Sequence, residues 1–264
     1  MAEQAREPWT LGPVIVTGGT GHIGLAVCRA FLDAGATVIA VGSSAQRSAA
    51  AGEALSPYGE KARVEAVDVT QAEAVTALFE RTRRALGPAA VLVNGAGINF
   101  NRMIRDVAPS DFDRIMAINV KSMFLASREA CERMAAANIA GRVVNIASGN
   151  YRYARPDAAL YGASKAAMEM LTRSFALEYG GHGIAVNAVA PGLVDRPGVT
   201  DAQFLAVADY YRSRSSQQAL ATPRDVAEAV LFLASAKAAR IAGETIVVDG
   251  GYSAGRLDFP RRNS

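Results

Sequence analysis

Tyr161 and Lys165 stand four residues apart in the run Tyr-Gly-Ala-Ser-Lys, thirteen positions after Ser148. In a helix, side chains four apart share a face, so the Lys165 ammonium can stand beside the Tyr161 phenol and favour its ionised form. A phenol ordinarily titrates near 10. A positive charge about 4 Å away, in an effective dielectric of about 20, contributes on the order of 4 kcal/mol toward ionisation before burial subtracts some of it. The chemistry this pair suits is proton transfer to and from an oxygen. Ser148 suits the adjoining task of hydrogen-bonding an oxygen on which charge develops. It does not read as a nucleophile, because the two histidines of the chain, His22 and His182, are not placed to activate it.

A second chemical feature lies upstream in Thr17-Gly18-Gly19-Thr20-Gly21-His22-Ile23-Gly24. Glycines at this spacing, between a strand and a helix, permit a tight turn and let backbone N–H groups at the helix start approach a pyrophosphate. By itself the spacing is weak, since other strand-to-helix turns also need glycine. Cofactor identity is read at the end of the second strand, Val41-Gly42-Ser43-Ser44-Ala45-Gln46-Arg47, where a carboxylate would take a ribose 2′-hydroxyl. No acidic residue occurs between Ala36 and Gly52. Ser43, Ser44 and Arg47 can instead donate to a 2′-phosphate, which favours NADP(H) and leaves NAD(H) possible. The alternative for Ser43 or Ser44 is that it caps the following helix.

These groups need a frame. Short Val- and Ile-rich runs at Pro13–Thr17, Thr37–Val41, Arg63–Val67, Val91–Asn94, Arg142–Ala147, Ala185–Val189 and Thr245–Val248 alternate with longer helical patterns. Strands apolar on both faces, joined through helices, define an α/β fold: a doubly wound, Rossmann-type, seven-stranded parallel sheet with helices on both faces. Helices are expected over Ile23–Ala34, Gln71–Leu86 and Ser110–Asn138, each stopped near a glycine. Residues 1–264 read as one domain, with the long connection at about 191–222 as a substrate lid.

Composition narrows the function further. The 28 basic and 25 acidic residues give a net charge of +3. They are scattered apart from Arg261-Arg262, so no stripe for a nucleic acid is present. The opening Met1–Gly12 is polar, and no run approaches the roughly 20 apolar residues of a membrane span. Cys28 and Cys131 lie in helical patterns without neighbours suited to a metal or to redox exchange, so buried reduced thiols, no metal and a cytoplasmic setting are expected.

From Pro13 to Tyr252 the chain resembles the short-chain dehydrogenase/reductase superfamily, in its small single-domain branch. The resemblance rests on an ordered set: the glycine turn, Asp68-Val69-Thr70, Asn94-Gly95-Ala96-Gly97, Asn119, Ser148, Tyr161 with Lys165, Pro191-Gly192 and Asp249-Gly250-Gly251. It implies a catalytic tetrad of Asn119, Ser148, Tyr161 and Lys165. Asp68 and Val69 would meet the adenine, Asn94, Gly95, Ala96 and Gly97 would floor the adenosine ribose, and Pro191, Gly192 and Val194 would complete the cofactor site. Lys165 would also bind the nicotinamide ribose, and Asn119 would hold a water that relays protons.

Two residues depart from the family pattern. His22 stands where small members usually have glycine, in a turn spelled like that of the longer, epimerase-like branch, and Arg196 stands where a threonine often binds the nicotinamide amide. The expected activity is interconversion of a secondary alcohol and a ketone on a small polar or hydroxylated substrate. Ser148, Asn150, Tyr151, Tyr161 and Arg196 are candidates to contact it. Arginines near a closing site suit a carboxylate, phosphate or polyol. The alternatives are a 3-oxoacyl-thioester (acyl-carrier-protein) reductase and a non-catalytic cofactor-sensing protein. Surplus apolar residues, Met116, Met123, Phe124, Met134, Met168, Leu171 and Phe175, together with the resemblance, imply a homotetramer, with a dimer second.

Overall fold

The computed structural model describes residues 7–255; the Arg261-Arg262 pair and the first six residues of the polar opening lie outside that range. Seven strands, β1 (Val14–Thr17), β2 (Val38–Gly42), β3 (Ala62–Ala66), β4 (Val91–Asn94), β5 (Arg142–Ile146), β6 (Ala185–Pro191) and β7 (Thr245–Val248), form one parallel sheet in the order β3-β2-β1-β4-β5-β6-β7. Every expected strand is present. The order reverses between β1 and β4, and the crevice at such a switch point is where an open α/β sheet presents its ligand site.

Strand alternation divides the core between two faces. Val14, Val16, Val91 and Val93 pack against α1 (His22–Asp33) and α8 (Pro223–Ala234), through Val27, Phe31, Val226 and Val230. Ile15, Ile39, Leu92 and Val143 pack on the other face against Leu78, Phe79, Cys131, Met134 and Phe175, which belong to α3 (Ala72–Leu86), α5 (Ser122–Ala136) and α6 (Ala159–Tyr179). Both cysteines are buried and unpaired, and burial pushes each thiol up to about 12.

The segment expected as a single helix over Ser110–Asn138 is broken. It comprises α4 (Pro109–Met116), a π-helical turn at Ala117–Lys121, and α5. The wide turn is steadied by Ser122, whose hydroxyl donates to the carbonyl of Ile118 at 2.6 Å. Such turns re-aim one side chain without ending the helix, and here the residue in the turn is Asn119. Among the residues expected to be surplus, Met123, Met134 and Met168 are fully buried in the core, and Phe175 is nearly so. Phe124, from the same set, is exposed, and it is joined on these helices by Phe112, Met170 and Leu177.

Helix α2 (Ala45–Leu55) follows β2, and α7 (Ala202–Arg214) lies inside the expected lid. This segment is tied down at both ends. Val194 bridges to Ala221, and Asp195 N donates to Ala221 O at 2.8 Å. Beyond α7, Ser215 and Ser216 donate to the carbonyl of Gly250 at 2.6 and 2.9 Å. Among the described residues, no helix is long and apolar enough to cross a membrane.

Candidate active site

The carboxyl ends of β1, β4, β5 and β6 open into a cleft of about 420 Å³. On one side lies the glycine turn. Gly18 adopts φ +67°, and a Cβ there would fall 2.4 Å from the carbonyl oxygen of Gly95. A Cβ on Gly24 would lie 2.1 Å from Gly18 O. These positions therefore tolerate no side chain, and the turn lies flush against the Gly95 loop. Helix α1 begins at Gly21 without a side-chain cap, so the first-turn N–H groups are left for a ligand to satisfy. Gly18, Gly21, His22, Ile23 and Gly24 all line the cleft. Thr17 and Gly19 lie behind it: Thr17 is buried and its carbonyl accepts from Gly95 N at 2.9 Å, while Gly19 packs on Ala40.

At the end of β2 the three candidates separate. Arg47 is exposed and lines the cleft. Ser44 is the N-cap of α2, its oxygen accepting from Arg47 N at 3.4 Å, which is the capping alternative noted in the sequence. Ser43 is exposed but does not line the cleft. Asp68 is held in a short turn, its Oδ1 accepting from Thr70 N at 3.0 Å and Thr70 Oγ1 at 2.7 Å, and these bonds keep its carboxyl below the usual range. Val69 is buried in the core.

The loop after β4 brings Gly95 and Gly97 to the cleft wall, while Ala96 N donates to Thr17 Oγ1 at 3.4 Å. Asn94 does not floor the cleft. It lies on the same strand face as Leu92, and its Nδ2 donates to Ser127 Oγ at 2.9 Å and to Asn145 Oδ1 at 2.8 Å. Asn145 in turn donates to Thr172 Oγ1 at 2.9 Å, and Thr172 donates to Met168 O at 2.8 Å. This buried polar chain stitches β4 and β5 to α5 and α6 beneath the site. Its signal in the sequence was an asparagine directly after the valines of each of two strands.

Ser148, Tyr161 and Lys165 converge on the cleft. Ser148 follows β5 in extended backbone, and its oxygen accepts from Asn150 N at 3.4 Å. Tyr161 and Lys165 share one face of α6, with the Lys165 Nζ 5.7 Å from the centroid of the phenol ring. The amine is buried; it donates to Ile146 O at 2.9 Å and approaches Met168 Sδ at 3.4 Å. Burial pushes its pKa down to about 8. Burial also raises the Tyr161 phenol, with Ser148 and Arg155 opposing the rise. The lowering expected from the lysine is therefore not reached: burial dominates at Tyr161, and the amine hydrogen-bonds the Ile146 carbonyl.

Asn119 is fully buried just behind these groups. Its Oδ1 accepts from Ile98 N at 2.8 Å, while Nδ2 donates to Ile98 O at 3.1 Å and Ser164 Oγ at 3.0 Å. Both amide hydrogens are committed, so the side chain clamps the wall of the cleft to α6.

On the substrate side, Asn150 and Arg196 line the cleft, and the Arg196 guanidinium lies 5.4 Å from the centroid of the Phe204 ring. Pro191, Gly192 and Val194 line it from the end of β6. Tyr151 does not. The 3-10 turn at Gly149–Tyr151 sends its ring toward Ala147, Ala188 and Ala190, and Tyr153 faces the cleft in its place. Tyr153 and Tyr211 of α7 both contact the ring of Tyr252, at centroid distances of 6.0 and 4.3 Å. This aromatic wall joins three remote segments, and nothing periodic in the sequence marks it. Among the described residues no group of three His, Cys, Asp or Glu side chains could hold a metal.

A doubly wound parallel sheet, with a bare helix start at its switch point and a Ser-Tyr-Lys constellation facing it, is the architecture of a dinucleotide-dependent oxidoreductase. The family model described as Enoyl-(Acyl carrier protein) reductase matches residues 19–253. The 2-(S)-hydroxypropyl-CoM dehydrogenase 3 of Xanthobacter autotrophicus is 37% identical over 254 residues, covering 91% of this chain and 96% of the relative. The cis-4-hydroxycyclohexanecarboxylate dehydrogenase of Sinomonas cyclohexanicum is 35% identical, covering 91% and 96%. Among solved structures, a gluconate 5-dehydrogenase from Burkholderia cenocepacia in complex with NADP and tartrate superposes with a TM-score of 0.84 at 28% identity, covering 92% of this chain and 95% of that one. The chain belongs to the short-chain dehydrogenase/reductase superfamily.

Proposed function

We propose that this protein is an NADP(H)-dependent oxidoreductase that interconverts a secondary alcohol and a ketone on a small polar substrate. The observation that carries this reading is the convergence of Ser148, the Tyr161 phenol and the buried Lys165 amine on the same cleft as the uncapped start of α1. The cleft suits a dinucleotide: glycines give backbone access, helix N–H groups await phosphate, and Arg47 stands where the second strand offers no carboxylate. The NADP in the Burkholderia structure supports the same choice, with NAD(H) the weaker coenzyme.

NADP⁺, when bound, accepts the hydride of the alcohol carbon, and NADPH returns it to the ketone. Tyr161 takes the hydroxyl proton in oxidation and donates it in reduction. Ser148 hydrogen-bonds the reacting oxygen as its charge changes. Lys165 would hold the nicotinamide ribose, and its ammonium near the Tyr161 ring would offset charge on the phenolate. Asn119 fixes the Ile98 wall and keeps Ser164 and α6 in place, and Asp68, held by Thr70, would stand toward the adenine. The segment at 191–222 acts as lid over one domain.

The named relatives are dehydrogenases of 2-(S)-hydroxypropyl-CoM, cis-4-hydroxycyclohexanecarboxylate and gluconate, which supports a polar secondary alcohol. A 3-oxoacyl-thioester reductase is the second reading, favoured by the acyl-carrier description of the family model. Retention of both Tyr161 and Lys165 argues against a non-catalytic sensor. Exposed Phe112, Phe124, Met170 and Leu177 on α4 to α6 support a homotetramer, and the free, buried Cys28 and Cys131 support a cytoplasmic setting.

The deciding experiment is Tyr161→Phe. Turnover with a panel of secondary alcohols and NADP⁺ should fall by about 10²- to 10⁴-fold, the usual worth of a positioned acid–base group, while NADPH binding changes by less than about twofold, since the ring and its packing are kept. A mutant that keeps most of its activity rejects the assignment.

A further inference from the structure

The loop that leaves Ser148 carries two polar groups that the mechanism above does not use. Arg155 lines the cleft, and a single nitrogen makes both of its protein contacts. Nη2 donates to Asn101 Oδ1 at 2.7 Å and lies 3.4 Å from Asp157 Oδ1. Nε is sealed from solvent with no acceptor. Tyr153, two residues earlier, faces the same cleft with a buried hydroxyl that makes no well-formed hydrogen bond, the Tyr211 phenol lying beside it. Buried donors left unpaired are costly, and native structures retain few of them without a reason.

Asp157 does not explain the arrangement. Its side chain is 47% exposed, and it meets only the nitrogen already bonded to Asn101. The walls on either side are fixed, because Arg102 N donates to Asp157 O at 2.6 Å and so ties the loop after β4 to the loop after β5. The guanidinium is therefore held in place with donor capacity to spare. Its charge reaches the Tyr161 phenol across the cleft.

Resting on the oxidoreductase reading, we propose that Arg155 is the anchor for a carboxylate on the substrate, with the Tyr153 hydroxyl as a second contact, so that the substrate class is a hydroxy acid and its oxo acid. Planar guanidinium and carboxylate groups pair through charge-assisted hydrogen bonds. Pairing also cancels the substrate's negative charge beside the group that must itself become an anion. A neutral ester or thioester gains nothing from this arrangement.

The test compares hydroxy acids, with the hydroxyl two to five carbons from the carboxylate, against their methyl esters in wild type, Arg155→Met and Arg155→Lys. We expect kcat/KM of the wild type to favour an acid over its ester by at least tenfold. Arg155→Met should abolish that ratio while leaving NADPH binding intact, and Arg155→Lys should recover part of it. Equal turnover of acid and ester by the wild type, or an undiminished ratio in Arg155→Met, overturns the proposal.

A binding measurement needs no turnover. Calorimetric titration of succinate into NADPH-saturated protein should show an affinity at least tenfold weaker in Arg155→Met, and equal affinities overturn the proposal. If simple secondary alcohols are oxidised while hydroxy acids are refused and succinate does not bind, the anchor fails and the oxidoreductase reading stands. If succinate binding depends on Arg155 but no alcohol consumes NADP⁺, the oxidoreductase reading is what fails.

Discussion

Nε2 of His22, in the first turn of α1, lies 2.9 Å from the backbone carbonyl oxygen of Asp195, in the loop after β6. A carbonyl can only accept, so the imidazole must carry its proton on Nε2. The contact straps the glycine turn to the loop after β6 across 173 residues of sequence. A coenzyme seated on that turn would have to leave past the strap.

His22→Ala should therefore speed NADPH release. We expect the dissociation rate, measured by stopped-flow displacement, to rise about three- to tenfold, as loss of one hydrogen bond of roughly 1 kcal/mol would give. An unchanged rate would show that the strap opens freely.

The phenol of Tyr161 is raised by burial in the coenzyme-free chain. Tyrosinate absorbance, read as wild type minus Tyr161→Phe, should therefore rise only above pH 10, and NADP⁺ should move it to lower pH by bringing a positive ring alongside. A difference titration centred below 10 without coenzyme would contradict the dominance of burial.

Lys165 makes a prediction about stability. Its pKa is pushed from its ordinary value down to about 8, so between those values the unfolded chain binds more protons, and the charged amine destabilises the fold most below pH 8. Lys165→Met, which also loses the bond to Ile146 O, should abolish activity. It should stabilise the coenzyme-free protein at pH 7 by about 1–2 kcal/mol, the gap closing as pH rises toward about 10.5. Thermal unfolding across pH 6.5 to 10 checks this, and a mutant less stable at every pH would refute it.

Arg47 is the cleft-lining cation at the end of β2. Arg47→Ala should weaken NADPH by roughly tenfold or more, the worth of a hydrogen bond to a charged group, and leave NADH within about twofold because NADH has no 2′-phosphate to lose. Fluorescence titration of both coenzymes decides it; parallel losses would mean that Arg47 does not read the phosphate.

What the sequence alone determined was everything governed by local periodicity and short spacing. Seven apolar runs set seven strands, two helix stops followed Gly35 and Gly87, and the four-residue spacing of Tyr161 and Lys165 put both on one face of α6. Ser44 was ambiguous between phosphate and cap because both uses need the same hydroxyl, and only the path of α2 showed that it caps.

Tertiary structure decided what depends on direction and burial. The π-helical turn aimed Asn119 at Ile98 and Ser164. A 3-10 turn exchanged Tyr151 for Tyr153, and strand alternation sent Asn94 into the network with Ser127 and Asn145. Desolvation set the signs of the Tyr161 and Lys165 shifts, because the dielectric around a charge belongs to the packed surroundings and not to neighbours in the chain.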